Sequence, residues 1–291
     1  MKTEVYTLNA FTNKHSGGNE AGVVLQTKQL KDHHMVKIAN DLGFSETAFV
    51  FPSETSDFLI RYFTPTSEVD ICGHATIATF SLLKQLNFIK DGALNIDTKA
   101  GKLKVESYPD GKVFLEQNLP AFLGVLPQEE ISSSLGIKKE NLISDFPIQI
   151  VSTGLKDILV PVNNLKILQE MNPNMEIIAA ICKEYGVTGY HVFTLETMED
   201  SSAAHCRNFA PLYDIPEESA TGTSNAALAC YLYKYDSSIN VKENHVFSFE
   251  QGYIMQKPSE VIVRITVNQG QIATVKVGGL ASSFNKEIVK L

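Results

Sequence analysis

Apolar and polar residues alternate from Val5 to Phe11, and short apolar runs follow at residues 22–26, 48–51 and 58–64, a pattern that predicts four strands. Between the second and third, residues 30–42 carry apolar side chains at helical spacing, and Gly73 opens an alanine-rich apolar stretch to Leu86 that predicts a second helix. Asp110-Gly111, set between Leu103-x-Val105 and Val113-x-Leu115, predicts a tight hairpin. Pro127 followed by Glu129 and Glu130 predicts a helix start.

The same order of features then returns, as comparison of the chain with itself shows. Arg61-Tyr-Phe-Thr-Pro65 and Arg207-Asn-Phe-Ala-Pro211 share Arg-x-Phe-x-Pro, and each leads to a glycine that opens an apolar helix, Gly73 or Gly222. Glu68 and Glu217 each stand five residues before that glycine. Upstream, Asp41–Val50 aligns with Glu184–Phe193, which pairs Gly43 with Gly186, and Ser16-Gly-Gly aligns with Ser152-Thr-Gly. Downstream, Ile96–Gly101 aligns with Phe247–Gly252. Five matches in one order predict two copies of an α+β unit, residues 1–119 and 120–291, with the stretch after Gly279 free to pack on either.

Composition narrows what such a chain does. With 25 basic against 33 acidic residues the formal charge is −8, and no Lys/Arg block interrupts it, so neither a nucleic acid nor an anionic membrane is an expected partner. The apolar runs fall short of the roughly 20 residues that a membrane helix needs, and the N-terminal strand has no apolar signal core; a cytoplasmic protein is expected. Cys72, Cys182, Cys206 and Cys230 are widely separated, so no disulfide framework is expected. The seven histidines show no metal-ligand spacing, and neither metal nor cofactor is expected.

Candidate chemistry lies where the helices begin. Unpaired N–H groups at a helix N-terminus bind anions, and two such termini at Gly73 and Gly222, facing one cleft between the copies, would hold a carboxylate and stabilise the enolate-like charge formed when the neighbouring carbon loses a proton. The bland reading of both glycines is a permissive turn. A duplicated scaffold needs only one of each catalytic group, so differences between the copies are informative: Glu46 aligns with Gly189, and His74 with Thr223. Glu46 reads either as a surface or capping charge or as a general base, and His74 either as a capping or packing residue or as a proton relay. Ser45, Asp70 and Glu218 are candidates for polar contacts. Cys72 reads as a small core residue; the alternative, a thiolate base, lacks a partner because Thr221 holds the equivalent place.

The motifs Gly18-Asn-Glu-Ala-Gly-Val-Val24, Ser45-Glu-Thr-Ala-Phe49, Arg61–Pro65, Cys72-Gly-His-Ala-Thr76, Arg207–Pro211 and Glu217-Glu-Ser-Ala-Thr-Gly-Thr223 together resemble the phenazine-biosynthesis isomerase-like (PhzF) family. The resemblance implies a diaminopimelate-epimerase-like fold of two similar α+β domains, each a barrel-like sheet around a central helix, commonly assembled as a homodimer. It implies a cofactor-free isomerisation in which a glutamate, here Glu46, moves a proton. It places the family's histidine at His74, the acidic polar residue of the second motif at Glu218, and the substrate carboxylate at Gly73 and Thr223. The chain departs from the family in Glu20 for Pro, Glu218 for Asp and Thr223 for Ser, changes that bear on the substrate more than on the chemistry.

Three functions follow. The first is a cofactor-independent isomerase or epimerase of a small carboxylate-bearing substrate, with Glu46, His74 and Glu218 as catalytic residues and Ser45, Asp70, Gly73, Gly222 and Thr223 as binding residues. The second is a thiol racemase using Cys72. The third is a non-catalytic binding protein that inherited the cleft.

Overall fold

The computed structural model describes residues 2–239 and 243–290. They form two compact units: one runs to Glu116 and takes in the chain again from Gly278, and the other is Gln117–Val277. The division falls three residues before the boundary drawn at 119. The stretch left open by the sequence belongs to the first unit, because the C-terminal strand (Ala281–Lys290) pairs antiparallel with the N-terminal one, from Lys2 opposite Lys290 to Ala10 opposite Ala281.

The first unit comprises β1 (Lys2–Ala10), β2 (Asn19–Val24), α1 (Asp32–Leu42), β3 (Thr47–Phe51), β4 (Phe58–Phe63), β5 (Glu68–Val69), α2 (Gly73–Gln85), β6 (Gly92–Thr98), β7 (Gly101–Ser107) and β8 (Val113–Gln117). Helix α1 buries Met35, Ile38 and Ala39, one stripe at 3.6-residue spacing, against Val5, Val24, Phe49 and Phe63 of the sheet. Helix α2 differs in kind. Every residue from His74 to Leu83 is buried, so the helix has no solvent face and the strands pack around it, with contacts from β1, β2, β3, β7 and the C-terminal strand. The hairpin expected at Asp110-Gly111 forms between β7 and β8 with a longer loop, Tyr108 to Lys112, in which Gly111 takes a positive φ of 88°.

The second unit comprises β9 (Ala121–Val125), α3 (Gln128–Ser134), β10 (Gln149–Ser152), β11 (Lys156–Pro161), α4 (Leu165–Glu170), α5 (Met175–Tyr185), β12 (Gly189–Thr194), β13 (Ala204–Ala210), β14 (Ile215–Glu218), α6 (Gly222–Tyr235), β15 (Asn244–Gln251), β16 (Ser259–Asn268) and the greater part of β17 (Gln271–Gly279). Here α6 is the helix buried all round, from Ser224 to Leu232.

The repeat holds at the level of strand register. β2 runs parallel to β3 and β11 parallel to β12, while Phe49 faces Arg61 across β3–β4 just as Val192 faces Arg207 across β12–β13. Helices α1 and α5 both end on a glycine in the left-handed region, Gly43 at φ 69° and Gly186 at 63°, a conformation that closes the helix without Cβ strain. One match shifts. The ladders set Leu59 opposite Asp97 and His205 opposite Glu250, so the counterpart of Asp97 is Glu250, two residues beyond the position that sequence matching assigned. Both carboxylates tie down the preceding loop: Asp97 accepts from Ser53, Thr55 and Ser56, and Glu250 from the N–H groups of Met198 and Glu199.

The Arg-x-Phe-x-Pro repeat has a structural cause. Arg61 forks onto Glu68 (Nε–Oε1 2.7 Å, Nη2–Oε2 2.8 Å) and Arg207 onto Glu217 (2.9 and 2.8 Å), and each guanidinium stacks on the phenylalanine two residues later. These pairs hold β4 to β5 and β13 to β14, and so fix the loops that deliver α2 and α6.

Candidate active site

In the first unit, three separate pieces of chain bring titratable and polar groups together. The turn at Gly43 leads Ser45 and Glu46 into β3, where the Glu46 carbonyl accepts from Gly22 of β2. Asn19 begins β2. Cys72 stands at the residue just before α2, and His74 lies in its first turn, 5 % exposed. His74 is the hub. Its Nε2 stands 3.3 Å from Glu46 Oε2 and 3.4 Å from Ser45 Oγ, and its Nδ1 stands 3.3 Å from Asn19 Nδ2 and 3.5 Å from Cys72 Sγ. Glu46 is 16 % exposed, and its Oε2, fully buried, accepts no well-aligned hydrogen bond despite its closeness to the imidazole. A carboxylate in that state has a lone pair ready for a proton, with an imidazole beside it able to donate or accept.

The start of α2 adds an anion-binding element. The first intrahelical bond runs from Thr76 N to Cys72 O, so the preceding N–H groups make none within the helix, and the Cys72 side chain does not cap them. Gly73 does not owe its identity to the fold: its φ is not positive and a Cβ built on it would meet nothing within 4 Å. The permissive-turn reading of this glycine therefore fails, and open space lies where its side chain would be. Asp70 does not join the cluster. It is 64 % exposed and pairs with Lys99 at 3.2 Å, drawn outward by that surface cation.

Glu218, Gly222 and Thr223 belong to the second unit. Glu218 ends β14 and accepts from the Thr221 hydroxyl at 2.7 Å, while the Thr223 carbonyl accepts from Thr153 at 3.1 Å. Behind them lies a buried network. Ser224 donates to Asp157 (2.6 Å), Asn208 reaches both Ser224 and His191 (3.2 Å each), His191 meets Asn225 (3.3 Å), and Asn225 and the Thr221 N–H both donate to Gln251 (2.8 and 3.1 Å). Burial pushes the Asp157 carboxyl up to about 7, against the hydrogen bond from Ser224, and pushes His191 down to about 4.

The sequence profile of the phenazine biosynthesis-like proteins, PhzC-PhzF, matches residues 8–286. The chain belongs to this family. It is 34 % identical over 299 residues to an uncharacterized isomerase of Clostridium acetobutylicum, covering 99 % of this chain and 98 % of that one. A crystal structure of a Bacillus anthracis PhzF-family protein superposes with a TM-score of 0.93 at 31 % identity over the full length of both chains. A hydroxyproline epimerase from Agrobacterium vitis, solved with bound trans-4-hydroxy-L-proline, superposes at a TM-score of 0.64 with 14 % identity, over 99 % of this chain and 91 % of that one, which shows a common fold. The PhzC-PhzF protein thus has the diaminopimelate-epimerase-like α+β fold that the resemblance implied. Among the described residues, no helix is long and apolar enough to cross a membrane.

Of the residues singled out from sequence, the structure gathers Ser45, Glu46 and His74 beside Gly73. One partner of His74 escaped that reading, Asn19, which was quoted only as part of a motif; Cys72 was weighed there as a core residue and, in the alternative, as a thiolate base, but not as a neighbour of His74. Cys72 is buried, as expected of a core residue, and touches the imidazole as well. The network around Asp157 also went unseen. Its signal was available, since the Ser16–Gly18 match, continued three residues, sets Asp157 where the first copy has Ala21.

Proposed function

We propose that this PhzC-PhzF protein is a cofactor-independent isomerase or epimerase that moves a proton on a carbon conjugated to the carboxylate of a small substrate. The observation that carries this reading is the contact of Glu46 Oε2 with His74 Nε2 at 3.3 Å, the carboxylate oxygen otherwise without a hydrogen bond, beside the open start of α2. The substrate carboxylate takes the first-turn N–H groups of α2 as donors, which stabilises the negative charge that spreads onto it as the neighbouring C–H bond breaks. Glu46 receives that proton and returns it to another carbon on the same face; where one carbon is inverted, the proton on the opposite face comes from solvent. His74 donates to a substrate heteroatom. The isomerase names of relatives above 30 % identity support the reaction class.

The test is solvent exchange. Small amino, hydroxy and unsaturated acids are incubated with the protein in D2O and followed by proton NMR. For an acid whose C–H exchanges, Glu46→Gln lowers the rate by at least ~100-fold, the usual scale for loss of a positioned base. Exchange that persists unchanged in Glu46→Gln overturns the role.

A second reading has one observation in its favour, the 3.5 Å approach of Cys72 Sγ to His74 Nδ1, which is the pairing that activates thiols. It requires that alkylation of Cys72 stop exchange. Full exchange in Cys72→Ala removes it.

A further inference from the structure

Gln251 is wholly buried, and its amide is surrounded by Glu218, Thr221 and Asn225. Its Oε1 accepts from the Thr221 N–H (3.1 Å) and from Asn225 Nδ2 (2.8 Å), and its Nε2 donates to the Glu218 carbonyl (2.8 Å) and to Thr221 Oγ1 (3.0 Å). Thr221 Oγ1 in turn donates to Glu218 Oε2 at 2.7 Å. We propose that Gln251 is a positioning residue: it directs a chain of hydrogen bonds that holds Glu218 as an ionised acceptor, ready for an N–H or O–H donor of the substrate.

Three backbone groups fix the direction of every bond in the chain. An N–H only donates and a C=O only accepts, so the Thr221 N–H and the Glu218 carbonyl decide which end of the Gln251 amide is the oxygen. Thr221 Oγ1 then accepts from Gln251, and its own proton goes to Glu218 Oε2. Asn225 Nδ2 donates to the Thr221 carbonyl (3.0 Å) as well as to Gln251, which turns Asn225 Oδ1 toward His191 Nε2 (3.3 Å), so that nitrogen carries the proton. Burial keeps the imidazole neutral, and His191 Nδ1 therefore accepts from Asn208 Nδ2 (3.2 Å). From Asn208 to Glu218 every donor points the same way. A proton on Glu218 Oε2 would meet the Thr221 proton head on, so the ionised carboxylate is the form that fits.

The fold does not require this chain, as the other copy shows. In the first unit the register sets Tyr62 opposite Val69 where the second sets Asn208 opposite Glu218, so a valine holds the place of the carboxylate. Thr98 stands in the place of Gln251, and Cys72 in that of Thr221. There Tyr62 and Thr76, the counterparts of Asn208 and Asn225, tie the helix start alone: Thr76 Oγ1 meets the Tyr62 hydroxyl and donates to the Cys72 carbonyl, both at 2.7 Å. The longer chain is present in the copy that has an acid to hold.

All its members lie within the second unit, and only the use of Glu218 on a substrate rests on the isomerase reading. On the full-length protein, 15N NMR of the imidazoles, with His191 identified through His191→Gln, should show the neutral Nε2–H tautomer at pH 7. 13C NMR of the glutamate carboxyls, with Glu218 identified through Glu218→Gln, gives its proton affinity. Thr221→Val deletes a hydrogen bond to the charged form and should raise that affinity about tenfold. Gln251→Met should raise it too, and Thr221→Ser should leave it unchanged. For an acid whose C–H exchanges, Thr221→Val should slow exchange at least tenfold, while Thr221→Ser retains it. Since Gln251→Met can perturb folding, the tautomer of the unaltered protein is an independent readout. An Nδ1–H tautomer, or a Glu218 affinity that Thr221→Val leaves unchanged, overturns the proposal. So does exchange that Glu46→Gln stops and Thr221→Val does not slow. The expected NMR results together with exchange indifferent to Glu46→Gln would defeat the isomerase reading and leave the positioning of Glu218 standing.

Discussion

The carbonyl oxygen of Phe209 occupies the space that a Cβ on Gly189 would need. Gly189 is the counterpart of Glu46, so the second copy is sterically barred from carrying a carboxylate there. It carries one on the neighbouring strand instead: Asp157 lies directly opposite Gly189 in the parallel β11–β12 register and is held by Ser224 of the central helix. Each copy thus keeps a carboxylate near the start of its buried helix, but from a different strand and in a different state. Asp157 is buried and hydrogen-bonded, whereas Glu46 has an oxygen to spare.

Gly189→Ala should therefore destabilise the protein by about 3 kcal/mol or more, because the clash is with backbone that cannot turn aside. Urea denaturation checks this. A loss under 1 kcal/mol would mean that β13 yields, and the asymmetry between the copies would then need another cause.

Gly73→Ala should behave in the opposite way. With nothing within 4 Å of the added methyl, stability should hold or rise by roughly 0.5 kcal/mol through helix propensity, while solvent exchange on a turned-over acid should fall at least tenfold. Retained exchange would show that the open space at the head of α2 takes no part of the substrate.

The two Arg–Glu forks give a matched pair of measurements. Arg207 and Glu217 are 9 % and 16 % exposed, and Arg207 also donates to the Leu168 carbonyl, so Arg207→Ala strands a largely buried carboxylate and should cost about 3 kcal/mol. Arg61 and Glu68 are 25 % and 23 % exposed, and solvent screens what remains, so Arg61→Ala should cost about 1 kcal/mol. Equal losses in urea denaturation would contradict the difference in burial.

The same forks show what was legible beforehand. Arg61, Glu68, Arg207 and Glu217 keep their spacing because each pair holds one strand to the next, and a local constraint of that kind leaves a mark in a single chain. Gly43 and Gly186 were readable for the same reason, since only a left-handed helix end requires them. The contacts of His74 were not: Asn19, Ser45, Glu46 and Cys72 meet it through the packing of β2, β3 and α2, and nothing in their own neighbourhoods requires it. Asp157 was hidden in a further way. A search for what replaces Glu46 stops at Gly189, while the carboxylate sits one strand over. The shift of Asp97 onto Glu250 has the same origin, because ladders count pairs across strands and not residues along them.

Asp157 and His191, joined through Asn208 and Ser224, should leave opposite marks on stability against pH. Burial raises Asp157 to about 7 from an unfolded value near 3.9, so between those values the folded state holds the extra proton and stability falls as pH rises. Burial lowers His191 to about 4 from an unfolded value near 6.5, so across that interval the unfolded state holds the extra proton and stability rises with pH. From about pH 4 to 6.5 the two slopes largely cancel, and above 6.5 only the fall from Asp157 remains, ending near 7. Asp157→Asn keeps an acceptor for Ser224 and removes the falling limb, so its stability should climb from pH 4 to 6.5 and stay level beyond. His191→Gln should show the reverse, a decline from pH 4 to 7. Each limb is of the order of a few kcal/mol. Urea denaturation from pH 4 to 8 measures all three proteins, and an Asp157→Asn profile parallel to that of the unaltered chain would show that Asp157 is ionised in the fold and that Ser224 and the Gly189 backbone N–H compensate its burial.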